Sequence, residues 1–286
     1  MKLFIGGVRG GRPVIEGGFA GYGGDTTSYL IEGEGGERVI IDAGSGLIPV
    51  YQRLLESDPK TRNVCLLFSH YHHDHMMGLP SFLPLYNEEW TIELAARIFD
   101  ELTVEDVAHS YVNPPFWPVS LEDMRSTRRF RIFDDESMER YSAYGGLEIR
   151  WCPLQHRGGS TAFRIDEPAT GASIVIATDV EWSESDEEER NWLRQLVTEP
   201  APATWLLFDG QLDDSEYEQF RGWGHSTWQQ GLELAAEWNV PHVLITHHAT
   251  DLNDQRAEAR DQEIQRQSAN ARLAKQGDLI ALTRPS

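Results

Sequence analysis

The segment Ser69-His70-Tyr71-His72-His73-Asp74-His75-Met76-Met77-Gly78 concentrates imidazole and carboxylate groups directly after an apolar run, Val64 to Phe68. These are the ligand types that zinc and other borderline divalent metals prefer. Residues two apart in an extended segment point the same way, so His70 and His72 are placed to grip one ion. Asp74 and His75 follow where the chain turns, and can face a second ion. The same ligand types recur after further strand-like runs: His156 after Leu154-Gln155, Asp179 after Ile174 to Thr178, and His247 after Val243 to Thr246. Taken with the first cluster, these strand ends supply enough ligands for two metals. His73 and His248 neighbour presumed ligands, and strand alternation turns them away. His109 and His242 are read as ordinary packing or surface residues. Arg157 and Arg221 are read either as phosphate contacts or as surface ion pairs.

The elements that must carry these groups are short strands separated by glycine turns. Strand patterns cover residues 3–5, 27–31, 39–42, 64–68, 130–133, 147–154, 161–165, 173–177, 205–208 and 242–246. Helical patterns cover 187–197, 227–238 and roughly 254–275. Residues 80–125 are rich in proline and aromatics, notably Pro114-Pro115-Phe116-Trp117-Pro118, and read as an excursion serving as a lid or an oligomer contact. The aromatics of Pro115 to Trp117 are candidates for stacking on a base or for packing at a dimer contact. No repeat and no long polar linker divides the chain, so a single domain over residues 1–286 is expected, of α+β or layered α/β type.

Composition narrows the partners. The chain has 286 residues, with 25 Lys+Arg against 46 Asp+Glu and a formal net charge of -21. A surface this acidic repels phosphodiester polymers, whose binding depends on Lys and Arg neutralising phosphates, so a long nucleic acid is not expected as a partner. The densest acidic run, Glu181 to Glu189, reads as a solvated loop and helix start. With 40% hydrophobic residues and nine Trp, the chain has the material for a sizeable core. No apolar run is long enough for a membrane span, and the opening Met1 to Gly7 breaks at glycine before a signal-type core forms. Cys65 and Cys152 sit in apolar stretches and read as reduced core residues of a cytoplasmic protein.

The pattern His70, His72, Asp74, His75 resembles that of metallo-β-lactamase-fold hydrolases, and the resemblance covers nearly the whole chain. Within that superfamily the chain is similar to the ribonuclease Z-like phosphodiesterase branch, which includes phage anti-Pycsar enzymes that degrade cyclic nucleotides. Gly23-Gly24-Asp25-Thr26-Thr27 followed by Ile41-Asp42-Ala43-Gly44 resembles the opening of that branch. Asn113-Pro114-Pro115-Phe116-Trp117-Pro118-Val119 resembles its lid segment, and Gly224-His225-Ser226-Thr227 the signature of its catalytic histidine.

The resemblance implies a four-layer αββα sandwich and two divalent ions, zinc or alternatively manganese. His70, His72 and His156 would hold one ion, Asp74, His75 and His247 the other, and Asp179 would bridge them. Asp42 would orient a histidine ligand from behind. His225 would act as general acid with Asp209 as its carboxylate partner, and Asp74 would complete the catalytic set. Ribonuclease members of the branch carry a His-Glu pair where this chain has Phe208-Asp209, and no glycine-rich basic arm for gripping transfer RNA is present. The expected activity is therefore hydrolysis of small phosphodiesters, cyclic nucleotides first, by a homodimer. Hydrolysis of a lactone or β-lactam on the same site is the alternative enzyme reading, with cleavage of short single strands behind it. A non-catalytic metal-binding sensor is the reading from another class.

Overall fold

A computed structural model describes residues 1–57, 61–133 and 141–283. Two seven-stranded sheets face one another. The strands of the first half are β1 (Lys2–Gly7), β2 (Ser28–Glu32), β3 (Arg38–Ile41), β4 (Asn63–Leu67), β5 (Thr91–Ala96) and β6 (Thr127–Ile132). Those of the second half are β7 (Tyr141–Tyr144), β8 (Leu147–Leu154), β9 (Ser160–Glu167), β10 (Ala172–Ala177), β11 (Trp205–Asp209), β12 (His242–Thr246) and β13 (Ala271–Leu273). The last strand, β14 (Leu279–Ala281), returns to the first sheet beside β1, so the first sheet runs β14-β1-β2-β3-β4-β5-β6 and the second β13-β12-β11-β10-β9-β8-β7.

Three separate apolar clusters show the layering. One lies between the sheets, where alternate residues such as Leu3, Ile5, Ile41 and Leu67 meet Phe163, Ile165, Ile174 and Ile176. A second lies outside the first sheet under α1 (Leu47–Ser57), α2 (His73–Met76) and α3 (Val104–Tyr111). A third lies outside the second sheet under α4 (Glu187–Thr198), α6 (Trp228–Glu237) and α7 (Asp254–Gln267), with the short α5 (Asp214–Phe220) contributing no side chain to it. A sheet buried on both faces needs apolar side chains in both directions. That accounts for the continuous runs Val64 to Leu67 and Ala172 to Ala177. The result is the αββα sandwich that the resemblance implied.

Several local expectations change. The stretch 80–125 is not wholly an excursion, because Thr91–Ala96 forms β5, paired in parallel with β4 and β6. The Pro- and aromatic-rich flanks that precede and follow it, with α3, pack over the outer face of the first sheet. The helix expected over 254–275 stops at Gln267, because the chain then turns into β13 to pair with β12. There Asp261 of the helix accepts the main-chain N–H of Leu273. The two cysteines are buried and unbridged, Cys65 between the sheets and Cys152 outside the second. Among the described residues no helix is long and apolar enough to cross a membrane.

Topology gathers the site on one edge. Strands β3 to β6 are mutually parallel, as are β10 to β13, and β8 runs the same way as β10 because both are antiparallel to β9. The residues that follow or close β3, β4, β8, β10, β11 and β12 therefore meet at the carboxyl ends of the strands, the usual place for ligands in α/β sheets.

Candidate active site

Three residues of this edge occupy the left-handed backbone region without being glycine: Asp42 at φ 63°, Asp179 at φ 59° and His247 at φ 59°. Each lies just past a strand end. For a non-glycine residue this conformation is sterically unfavourable and persists where surrounding structure enforces it, often at functional sites. Here it turns each side chain out of strand alternation and into a common centre.

That centre brings together all seven residues that the sequence analysis names as candidate metal ligands. Ligand atoms of His70, His72, His156 and Asp179 form one cluster, with every atom within 4.8 Å of the others, and those of Asp74, His75, Asp179 and His247 form a second. Asp179 belongs to both. Its Oδ2 lies 3.6 Å from the Nε2 atoms of His70 and His156. Its Oδ1 lies 3.3 Å from Nε2 of His75 and 3.1 Å from Nε2 of His247. One carboxylate oxygen thus faces each cluster. Asp74 Oδ2 lies 3.4 Å and 3.5 Å from the same two nitrogens. His72 turns Nδ1 inward, 3.1 Å from Nε2 of His156.

The fit to metal rests on what these atoms lack. Nε2 of His70, His75 and His247 and Oδ1 of Asp179 are buried with no hydrogen-bond partner. Buried polar atoms are normally satisfied, and orphans of this kind call for an explanation. A set of inward imidazole nitrogens and carboxylate oxygens around a common centre matches the coordination of divalent metal.

Groups behind the ligands fix their orientation, as ligating histidines require. Nδ1–H of His75 donates to Asp42 Oδ2 at 2.8 Å. Ser69 donates its main-chain N–H and its hydroxyl to the same carboxylate, and its Oγ lies 3.0 Å from Nδ1 of His70. Nδ1–H of His156 donates to the carbonyl of Gly224 at 2.8 Å. Gly11 donates its N–H to Asp74 Oδ2 at 2.7 Å. Two glycines lie against ligand rings. A Cβ on Gly224 would stand 2.2 Å from Nδ1 of His156, and one on Gly10 would stand 2.3 Å from Cε1 of His247.

Glu181 corrects the reading of the acidic run. The helix-start residues Glu187 and Glu188 are exposed, but Glu181 is buried. Its Oε2 accepts the N–H of Gly224, and its Oε1 accepts those of Gly222 and the Tyr217 hydroxyl. Its own N–H donates to the carbonyl of Gln155. Glu181 therefore brackets His156 from two sides, and no type or spacing signal in the sequence singles it out from its acidic neighbours.

The electrostatics divide the imidazoles. Burial lowers His70, His72 and His156, which favours their neutral, ligating form. Burial acts the same way on His75 and His247, but Asp179 and Asp74 outweigh it, raising His75 well above the imidazole range and His247 to about 9. Burial opposes the charged forms of Asp74 and Asp179, yet His75 and His247 hold both below the usual carboxylate range.

His225 belongs to neither of these two clusters, although ligand atoms of His225, Asp209 and His247 also lie within 4.8 Å of one another. Its ring lies 4.8 Å from that of His247 and 5.3 Å from that of His156, centroid to centroid. Its Nδ1–H donates to Asp209 Oδ2 at 2.9 Å. Asp209 is fully buried at the end of β11, and Gln211 and Val180 donate main-chain N–H groups to it. The helix cap here is Thr227, with Ser226 instead bonded to Val180 and Trp182, so His225 is free of capping duty.

The remaining candidates separate. His73 is exposed and bonds the Tyr111 hydroxyl, 2.7 Å away. His248 is buried, with Nε2 donating to the Ala274 carbonyl. His242 stacks on Trp205, and half-buried His109 lies near Glu122. Arg221 is a surface ion pair with Glu184 and Glu218, and Arg157 is exposed beside His156.

The model of the β-lactamase superfamily domain matches residues 37–248. A 64-residue segment is 41% identical to the atrochrysone carboxyl ACP thioesterase of Emericella nidulans, covering 21% of this chain and 20% of that protein. The chain thus matches about a fifth of the length of that curated relative. Among solved structures, the metallo-β-lactamase fold protein YhfI from Bacillus subtilis superposes with a TM-score of 0.69 at 17% identity, covering 97% of both chains. The short form of human tRNase Z superposes with a TM-score of 0.63 at 18% identity, covering 99% of this chain and 100% of that one.

Proposed function

The chain belongs to the β-lactamase superfamily, and from that premise we propose that it is a dinuclear metal-dependent phosphodiesterase acting on small diesters, cyclic nucleotides first among them. The observation that carries this reading is the His225–Asp209 pair, an imidazole held over both ligand clusters without belonging to either. Divalent metal, zinc or manganese, held by His70, His72, His156, Asp74, His75, His247 and Asp179 would supply Lewis acidity and make water acidic enough to act as a nucleophile at neutral pH.

The chain's own residues do the rest. Asp179 and Asp74 stay ionised and fix the spacing of the two clusters. Asp42 and the Gly224 carbonyl set which nitrogen His75 and His156 turn inward. Asp209 accepts from Nδ1 of His225, which leaves Nε2 as the ring nitrogen that delivers a proton. An alkoxide leaving group is poor and needs that proton, so an acid at this place suits diester cleavage. The net charge of -21 favours a small diester over a long nucleic acid. The homodimer and the cytoplasmic setting expected from the sequence stand as proposals beside this one.

A second reading, hydrolysis of an acyl thioester, ester or lactone, draws on the thioesterase match. One panel separates the two: cyclic nucleotides, linear diesters, a precursor transfer RNA, lactones and thioesters, each assayed with added zinc or manganese. Turnover of small diesters above all others is expected. Cleavage of the precursor RNA with inactivity on every cyclic nucleotide, or acyl turnover far above diester turnover, overturns the proposal.

A further inference from the structure

We propose that the apolar cavity beside the His70–His72–His156 cluster is the subsite for one neutral aromatic ring carried by the substrate. This deepens the phosphodiesterase reading and rests on it only for the anion that sits at the clusters. The cavity has a volume of about 780 Å³, within the range of small-ligand sites and ample for a bicyclic ring. His70 and His72 line it, so it opens directly onto the metal-ligand set. Its other walls include Phe99, Leu102, Val107, Phe116 and Trp117.

Charge identifies the occupant. Among the described residues lining the cavity there is no Lys or Arg, and the one acidic residue is Asp100. A second phosphate or carboxylate on the substrate would lose its hydration there and meet a carboxylate, with no cation in return. A neutral ring loses little and gains apolar and stacking contact. The substrate that suits both halves of the site has a single anionic centre and one uncharged aromatic substituent.

The walls are held in place before anything binds. Phe99 stands edge-on to Tyr71 with centroids 5.3 Å apart. Trp117 Nε1–H donates to the Tyr86 hydroxyl at 2.7 Å, and Tyr111 is tied to His73. By contrast, the mouth carries apolar surface with little covering it: Phe116 is 80% and Leu102 50% exposed. These two side chains belong to the stretch that the sequence marks as a lid or an oligomer contact, and contact with a bound ring would cover them.

The test uses metal-loaded protein and three non-hydrolysable probes, methylphosphonate, 1-naphthylphosphonate and a carboxylated 1-naphthylphosphonate, with binding followed by calorimetry. The naphthyl probe should bind roughly ten- to a hundredfold more tightly than the methyl probe, as stacking and burial of one ring provide. The added carboxylate should remove most of that gain. Phe116→Ala should lower the naphthyl-to-methyl ratio. Asp100→Asn, a change that the left-handed backbone at this position (φ 49°) tolerates, should recover part of the loss caused by the carboxylate. Equal affinity for all three probes, or a carboxylated probe that binds best, overturns the subsite. Turnover, measured separately, keeps the two proposals distinct. A naphthyl gain in protein that cleaves no diester preserves the subsite and removes the phosphodiesterase reading. Diester cleavage with no naphthyl gain does the reverse.

Discussion

Nδ1 of His225 lies 2.9 Å from Oδ2 of Asp209, and main-chain N–H groups from Gln211 and Val180 hold that carboxylate in turn. An imidazole anchored this way, outside the ligand clusters, should be removable without loss of metal. His225→Ala should keep its full metal content and fold while losing roughly 10²–10⁴ in rate on an alkyl diester, the usual worth of an acid–base group. The loss should shrink on a nitrophenyl diester, whose leaving group needs no proton. Rates on both substrates, for wild type and variant, decide the matter. Equal losses would make His225 a phosphate-positioning group, and no loss would remove it from the mechanism.

Asp179 sends one oxygen toward each cluster. Metal analysis of chelator-free protein should approach two equivalents, and chelation should abolish activity. Asp179→Ala should lower metal content and rate together, because both clusters lose a ligand. A stoichiometry near one that persists after zinc and manganese loading contradicts the dinuclear arrangement.

Glu181 acts through the segment it holds. Glu181→Gln keeps the shape but sets an amide N–H₂ against donors that now meet a carboxylate. Metal affinity should fall about ten- to a hundredfold, as for other groups that orient a ligand from behind. Tyr217→Phe, which removes one of the three donors, should fall less. Competition with a chromophoric chelator, alongside a circular dichroism check of the fold, measures this. Unchanged affinity in Glu181→Gln would reduce the residue to a packing role.

Protons stand in for metal charge in the metal-free protein. Burial works against charge on His247 and His75, but Asp179 and Asp74 carry His247 to about 9 and His75 well above the usual range. A group raised on folding contributes stability that is fully present below its unfolded value, near 6.5 for histidine, and lost as pH rises through its folded value. The Tm of metal-free protein should therefore fall between about pH 6.5 and 9. Metal-loaded protein, whose imidazoles are ligands, should show no such fall. A metal-free Tm that stays flat or rises over that window refutes the assignment.

What was legible in the sequence follows from how specific each task is. Metal ligation accepts few residue types, so His70, His72, Asp74, His75, His156, Asp179 and His247 stand out at their strand ends. The groups that orient them use commoner chemistry. Ser69 and Gly11 contribute main-chain N–H groups, Gly224 a carbonyl, and Gly10 the absence of a side chain. None of these carries a type signal. Glu181 was hidden by Glu184 and the glutamates of α4, since burial and not identity sets it apart. Thr91–Ala96 was hidden by its proline- and aromatic-rich surroundings. Its place between β4 and β6 is decided by long-range pairing that no local pattern encodes.

Each ligand cluster draws on both sheets of the sandwich. His70 and His72 come from the first sheet, and His156, Asp179 and His247 from the second. An ion held by His72 and His156 would close a loop between residues 84 positions apart, in the manner of a reversible cross-link that restricts the unfolded chain. It would fasten the sandwich along the site edge, whereas the opposite edge is held by the buried pair of the Met1 ammonium with Glu167, whose carboxylate also accepts the N–H of Glu34. Mechanically, loss of metal would turn a clamped shell into a hinged one. Pulling the two halves apart from the site edge should then need less force once a chelator is added, while the force needed at the far edge should stay the same.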